Sequence, residues 1–374
     1  MDQRICKSHR KYRTAIQAAV FLMAVFLFFA VKAKAEEKTL RIAINASGEV
    51  FPDLKKNMGI LEEIASVEIL WNESEERGST ADSIIYFVQD AIEQGVDGIL
   101  LCPPNDQVLS VICRMCGEAQ VYWGIYFRSI ANDNIRLICE NSPYYIGNVY
   151  EDEEENAYAL AETILEKGYR KIALLSEAKW DTTCMAREEG INRALEEYPD
   201  AEIVAEGRDF RSEEDVASMT ESILEAYPEV DCIYLVGSTV RNGAKIILDT
   251  IRETRGGEGV GLATIDFSQS LTEDFESGIL KAAYGVPQFS IDAYYMAVAM
   301  VNQLKGYPLS EHAESYRVPG ILVDSAALAE EISDATENPD HLYFTEEEVE
   351  RLLLKWNNPT LDAAVFQDLI DENL

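Results

Sequence analysis

Three stretches of this chain carry residue types and spacings that could do chemistry. Cys113-Arg-Met-Cys116 has the spacing of a redox centre or of half a zinc site. Closed zinc sites need four ligands, and no second cysteine pair or histidine lies near it in sequence, so no metal is expected there. Glu151-Asp-Glu-Glu-Glu155 holds enough carboxylates for a calcium ion, but it opens a predicted helix, where acidic side chains complement the positive end of the dipole without a metal. Gly256-Gly-Glu-Gly259 precedes a strand instead of joining a strand to a helix, which makes it a connecting loop and not a phosphate cradle. Beyond the N-terminal leader only His312 and His341 remain, and there is no G-x-S-x-G elbow or H-E-x-x-H run. Histidine-based catalysis lacks its parts, no cofactor is implied, and the chain reads as a non-enzyme.

The elements around these stretches point to binding in an exported protein. Arg4, Lys7, Arg10, Lys11 and Arg13 form a basic segment, residues 18–31 are apolar, and Ala33-Lys34-Ala35 is a small-x-small cleavage site. Residues 1–35 are thus expected to be a signal peptide, placing the mature protein in the periplasm or outside the cell. An uncleaved anchor stays open, although a bilayer span takes roughly 20 apolar residues. Cys6 precedes the apolar stretch, so no lipid-attachment cysteine follows it. The whole chain carries a charge of −35, and without the leader's seven basic and one acidic residues it stands at about −41. That excludes nucleic acid, since phosphate binding needs a basic face. The six cysteines beyond the leader read as buried thiols, with Cys102, Cys139 and Cys232 in strand-like runs and Cys113, Cys116 and Cys184 in helical ones.

One module is written twice. Residues 40–45 form a β-rich run, Ser79-x-x-Asp82 opens a helix with Ile84, Val88, Ala91 and Ile92 on one face, and a buried strand follows from Val96-Asp97. In the second half Ser212-x-x-Asp215 opens a helix with Val216, Met219 and Ile223 on one face, and Val230-Asp231 begins the matching strand. Strands alternating with helices predict an α/β fold of two doubly wound, parallel-sheet lobes, with ligand bound beyond the carboxyl ends of the strands where the sheets face each other. Thr345-x-x-Glu348 caps a further helix carrying Val349, Leu352, Leu353 and Trp356, followed by an apolar-striped segment over 361–369. These tail helices are expected to pack on the second lobe, the alternative being that they present a face to a membrane partner.

From about residue 38 to residue 324 the chain resembles the ribose/galactose type of periplasmic sugar-binding protein (type I periplasmic binding proteins), which shares its fold with the ligand domain of lactose-repressor-like proteins. A repressor is disfavoured, because no helix-turn-helix precedes Leu40. The resemblance implies a hinge of three crossings, near Asn141-Ser142, Gly285-Val286 and Val318-Pro319. The expected organisation is signal peptide 1–35, an N-terminal lobe of 36–142 plus 286–318, a C-terminal lobe of 143–285 plus 319–330, and an acidic helical extension 331–374.

Four positions match the family's ligand contacts. Phe51 and Phe210 match the aromatic rings that stack on the two faces of a sugar, burying its C–H groups. Arg187 and Asp266 match the charged pair that reads ring hydroxyls, a guanidinium fork donating to two oxygens and a carboxylate accepting from two hydroxyls. Tyr126 and Arg128 fall near a polar clamp, and Asn105, Ser238, Asn242 and Gln288 are further pocket candidates, with Trp180 extending the aromatic wall. The ribose-type pattern has Asn-Asp where this chain has Gly237-Ser238, and Gln where it has Val286, so ribose itself is not expected. The resemblance implies a monomer that closes over a small sugar or polyol and delivers it to the membrane permease of an ABC importer. The alternative is a sensory subunit whose closure is read by a histidine kinase or chemoreceptor without transport. On this reading Arg187→Ala or Asp266→Ala weakens binding by roughly 1.5 to 3 kcal/mol and leaves the empty protein's melting nearly unchanged.

Overall fold

The computed structural model describes residues 39–46, 51–74, 80–176, 181–238, 240, 242–288, 290–338 and 340–373. The leader, Ser79 and Trp180 lie outside these residues. Among the described residues no helix is long and apolar enough to cross a membrane.

The first half runs β1 (Leu40–Ile44), α1 (Pro52–Ala65), β2 (Val67–Trp71), α2 (Ala81–Glu93), β3 (Gly98–Leu101), α3 (Leu109–Ala119), β4 (Tyr122–Phe127), α4 (Asp133–Glu140) and β5 (Tyr145–Glu151). The second runs α5 (Glu153–Glu166), β6 (Lys171–Ser176), α6 (Thr182–Glu197), β7 (Glu202–Arg208), α7 (Glu213–Ala226), β8 (Cys232–Leu235), α8 (Gly243–Arg255), β9 (Gly261–Ile265), α9 (Leu271–Glu276) and β10 (Leu280–Gly285). The chain then returns through α10 (Ile291–Leu304), β11 (Glu314–Val318), β12 (Ile321–Val323), α11 (Ala326–Glu331) and α12 (Ser333–Glu337). It ends in the single turn α13 (Glu346–Glu348), a π turn over Val349–Leu353 and α14 (Ala363–Glu372).

These strands form two six-stranded sheets, ordered β11-β5-β4-β3-β1-β2 and β12-β10-β9-β8-β6-β7. The second sheet is parallel except for β12, which runs antiparallel to β10 at its edge. The central strands β3, β8 and β9 are buried at every position, as continuous apolar runs require when helices cover both faces. The caps are local. Ser212 accepts from the Asp215 N–H at 3.1 Å to open α7. At α2 the cap is Thr80 in a reciprocal box with Ser83, one residue beyond the expected Ser79. Cys139 lies in α4 and not in a strand, because Asn132 accepts from the N–H groups of Asn134 and Ile135 and starts a helix there.

The crossings decide which residues face the gap between the sheets. β5 is the fifth strand of the first sheet, so the first crossing falls between Glu151 and Glu153 and not at Asn141-Ser142. Its apolar positions pair in register with β4 and β11, which draws residues 145–151 into the first lobe. The second crossing lies between β10 and α10, and the third between Val318 and Ile321.

A fourth crossing corrects the expected place of the tail. Residues 326–337 stay on the second lobe, where Glu337 accepts from the Thr272 N–H at 2.9 Å. Beyond them the chain returns to the first lobe. The Tyr343 N–H donates to Asn57 at 2.8 Å, Phe344 stacks on Tyr294, and the Phe366 ring meets Tyr295 and Tyr316 edge-on. The capping box at Thr345 and Glu348 forms as expected, but the helix stops within two turns. Asn302, fully buried on α10, donates to the Leu353 carbonyl at 2.8 Å and accepts from the Lys355 N–H at 2.7 Å. Those are backbone groups that a continuing helix would pair internally. Asn302→Leu leaves the buried Leu353 carbonyl and the half-buried Lys355 N–H without this partner and is expected to cost about 1 to 3 kcal/mol. Hydrogen exchange would localise the loss to residues 342–372, and protection there equal to wild type would refute it.

Candidate interlobe site

The carboxyl ends of β1, β3, β4 and β5 on one lobe, and of β6, β7, β8 and β9 on the other, gather Tyr126, Arg128, Arg187 and Asp266, half of the eight polar residues expected at a site. Several of these ends are strained. Phe127, Asp209 and Asp266, immediately at or after strand ends, have φ of 69°, 61° and 71°, a region that non-glycine residues seldom occupy and that clusters at binding sites.

On the second lobe Arg187 is the centre. It is 2% exposed and grips Glu153 with two bonds, Nε to Oε2 at 2.5 Å and Nη2 to Oε1 at 3.0 Å. Nη1 donates to the Val236 carbonyl at 2.8 Å and approaches Asp266 Oδ2 at 3.4 Å. The expected Arg187–Asp266 pair is therefore present, with Glu153 as its third member. Sequence makes room for it twice. A Cβ on Gly237 would stand 2.8 Å from Nη1, so a bulkier residue there would displace the guanidinium. A Cβ on Gly190 would stand 2.1 Å from the Glu154 carbonyl oxygen, so glycine lets α6 approach α5 closely enough for Arg187 to reach Glu153. Arg187 is thus buried and paired within the fold itself, so its removal is expected to lower melting as well as solute affinity.

On the first lobe Tyr126 donates to the Asn45 carbonyl at 2.8 Å and is buried. Arg128 follows β4 and crosses the gap. It donates to Pro104 O at 3.2 Å on its own lobe, and to Thr182 Oγ1 at 2.7 Å and Asp181 Oδ2 at 2.9 Å on the other. Asn148 fixes the backbone beneath by donating to Arg128 O at 3.2 Å. Asp181 caps α6, so this bridge ties Arg128 to the helix that carries Arg187.

Other expected residues fall elsewhere. Phe210, expected as the second stacking ring, is 1% exposed and belongs to the second lobe's apolar core with Val216, Leu235 and Val240, where its full surface is buried. Ser238 turns inward on its own loop, donating to Val240 O and accepting from Val240 N–H. Asn105 caps the short turn Asp106–Val108, and Asn242 precedes α8 in a left-handed conformation. Gln288 is buried and donates to Asn373 O at 3.3 Å, which ties it to the tail. Phe51 stands half-buried at the start of α1.

The structure adds three carboxylates that sequence reasoning missed. Glu151, Glu153 and Asp292 are each at least nine-tenths buried. Burial raises Glu151 well above the usual carboxylate range, and Glu153, Asp266 and Asp292 push it further while Arg187 opposes them. Burial lifts Asp292 to about 7, against backbone N–H bonds from its own first turn. The acidic run at 151–155 has further partners, since Asp152 caps α5 and Arg193 pairs with Glu154 and Glu155. Two signals were available for the site members. Glu151 and Glu153 flank the first crossing, and Asp292 is the single acid in a helix that is apolar nearly all round.

A family model described as a periplasmic binding protein domain matches residues 62–308. A solute-binding protein from Actinobacillus succinogenes 130z with bound D-allose superposes with a TM-score of 0.64 at 16% identity, covering 80% of this chain and 99% of that one. One from Agrobacterium vitis bound with α-D-tagatopyranose gives 0.66 at 12%, covering 80% and 99%. One from Burkholderia graminis C4D1M in complex with D-arabinose gives 0.66 at 15%, covering 79% and 98%.

Proposed function

Because the chain belongs to the periplasmic binding protein domain family, we propose that it is an exported solute-binding protein that closes its lobes over a small sugar or polyol and delivers it to an ABC-type import permease. The observation that carries this reading is the charged cluster at the strand ends. Arg187, Glu153 and Asp266 stand on one lobe, and Arg128 reaches across from the other. Guanidinium and carboxylate groups held in this way read a hydroxyl-rich solute from both sides. The monosaccharides named for the structural neighbours support the same solute class.

Closure is a population shift, bounded by how much better the closed form binds. The Arg128 bridge to Asp181 and Thr182 favours the closed arrangement, so Arg128→Ala is expected to weaken solute binding by about 1.5 to 3 kcal/mol, the worth of hydrogen bonds to a charged group. Small-angle scattering of the empty variant should also show a larger radius of gyration. Unchanged affinity and unchanged scattering together would remove the bridge from the closing mechanism.

The reading itself is tested by thermal shift and calorimetry of residues 36–374 against monosaccharides and polyols. A selective hit supports it, and silence across the panel overturns it. A strain lacking the protein then separates transport from sensing, since loss of uptake indicates a permease partner, while intact uptake with a lost response indicates a membrane sensor.

A further inference from the structure

Two carboxylate oxygens at the hinge have no hydrogen-bond donor among the described residues. They are Glu151 Oε2, at the end of β5, and Asp292 Oδ2, in the first turn of α10. Glu151 is 7% and Asp292 3% exposed, and they stand at the first and second crossings, where α10 packs against β5. Glu151 also feels Glu153, Asp266 and Arg187 from the opposite lobe, which places its carboxylate at the gap between the sheets. A third orphan, Gln288 Oε1, sits four residues before Asp292 and is also an acceptor.

The cations nearby are mostly engaged, and Arg128 Nε is the guanidinium donor left buried without a partner among the described residues. Arg187 is held by Glu153 and Val236 O, and Arg128 by Asp181, Thr182 and Pro104 O. A sugar hydroxyl brings one donor and two further lone pairs, and Arg128 Nε can answer only one of those lone pairs, while the orphans at Glu151, Asp292 and Gln288 are all oxygens. An ammonium group brings three donors, no lone pair and a positive charge. Buried acceptors left without donors are costly, and buried carboxylates without a counter-charge more so.

We propose that the solute carries a primary amine on its hydroxylated frame, as an amino sugar or amino polyol does, and that the ammonium group sits against Glu151 and Asp292. The proposal rests on the reading that the interlobe cleft is the solute site.

Matched pairs test it by calorimetry at pH 7.5: D-glucosamine with D-glucose, D-galactosamine with D-galactose, and D-glucamine with D-sorbitol. At least one amine is expected to bind ten times tighter or more than its hydroxyl partner. Glu151→Gln and Asp292→Asn, near-isosteric, should each erase at least half of that preference on a logarithmic scale, read as the ratio of amine to hydroxyl affinity within the same variant. Wild-type protein supplies a second readout that needs no variant. Titrations at about pH 6, where the sugar amines are already protonated, in two buffers of different ionisation enthalpy should show protons released from the carboxyl groups on amine binding and none on neutral binding. Equal affinity within every pair, or a preference that survives both substitutions, overturns the proposal while neutral binding leaves the sugar reading intact. Binding by no member of any pair overturns both.

Discussion

Arg187→Met is expected to destabilise the empty protein by roughly 3 to 5 kcal/mol, because it leaves Glu153 buried without its counter-charge. The bidentate contact at 2.5 and 3.0 Å repays the desolvation of both groups only while both are present. Substituting Glu153 as well should recover much of the loss, so Arg187→Met/Glu153→Met is expected to be clearly more stable than Arg187→Met alone. A double-mutant cycle by urea denaturation checks this, and additive single-variant costs would refute the coupling. Asp266 provides the contrast. Its side chain is 34% exposed and meets Arg187 only at 3.4 Å. Asp266→Asn should therefore change solute affinity with little effect on melting.

The second large effect concerns pH. Asp292 has its native pKa raised from 3.8 to about 7 by burial, so the folded protein retains a proton that the unfolded chain releases between those values. The unfolded state then binds fewer protons, and stability falls as pH rises through that window, by up to about 1.4 kcal/mol per pH unit and roughly 4 kcal/mol in all. Glu151, raised for the same reason, acts with the same sign. The titratable groups that share this environment are Glu151, Glu153, Cys102, Tyr126 and Tyr343. Asp292→Asn removes the titration and should flatten the slope between about pH 4 and 7 relative to wild type. Denaturation at several pH values reads the difference, and parallel curves would assign the slope to other groups.

Much of the architecture was legible because its causes are local. Caps such as Ser212 and Thr345, and strand starts such as Val96-Asp97 and Val230-Asp231, follow from side chains reaching backbone groups a few residues away. The Arg187–Asp266 pair was legible through the family resemblance. What escaped was fixed by distant partners. The first crossing moved to residue 152 because β5 pairs with both β4 and β11, the latter more than 160 residues later in sequence. The helix begun at Thr345 ends because Asn302 takes its backbone groups. Phe210 and Phe51 share one residue type, yet one lies in the core and the other stays half-buried, a choice made by the surrounding packing. Glu151 read as a helix-start acid because its strand end was misplaced by the same crossing.

The fourth crossing also orders the life of the chain as it is made. By residue 285 five of the second sheet's six strands have been synthesised, and only its antiparallel edge strand is still to come. The first lobe waits for Leu361, Phe366 and Ile370, all at most 1% exposed, and for contacts as distant as Tyr343 with Asn57. Pairings across nearly the whole polypeptide form late and slowly. The second lobe's contacts are thus the more local ones, and the first lobe depends on partners at both ends of the described residues. A chain cut after residue 337 is expected to carry an unfinished first lobe with its aromatic seam open, because Tyr343, Phe344 and Phe366 pack there against Tyr294, Tyr295 and Tyr316.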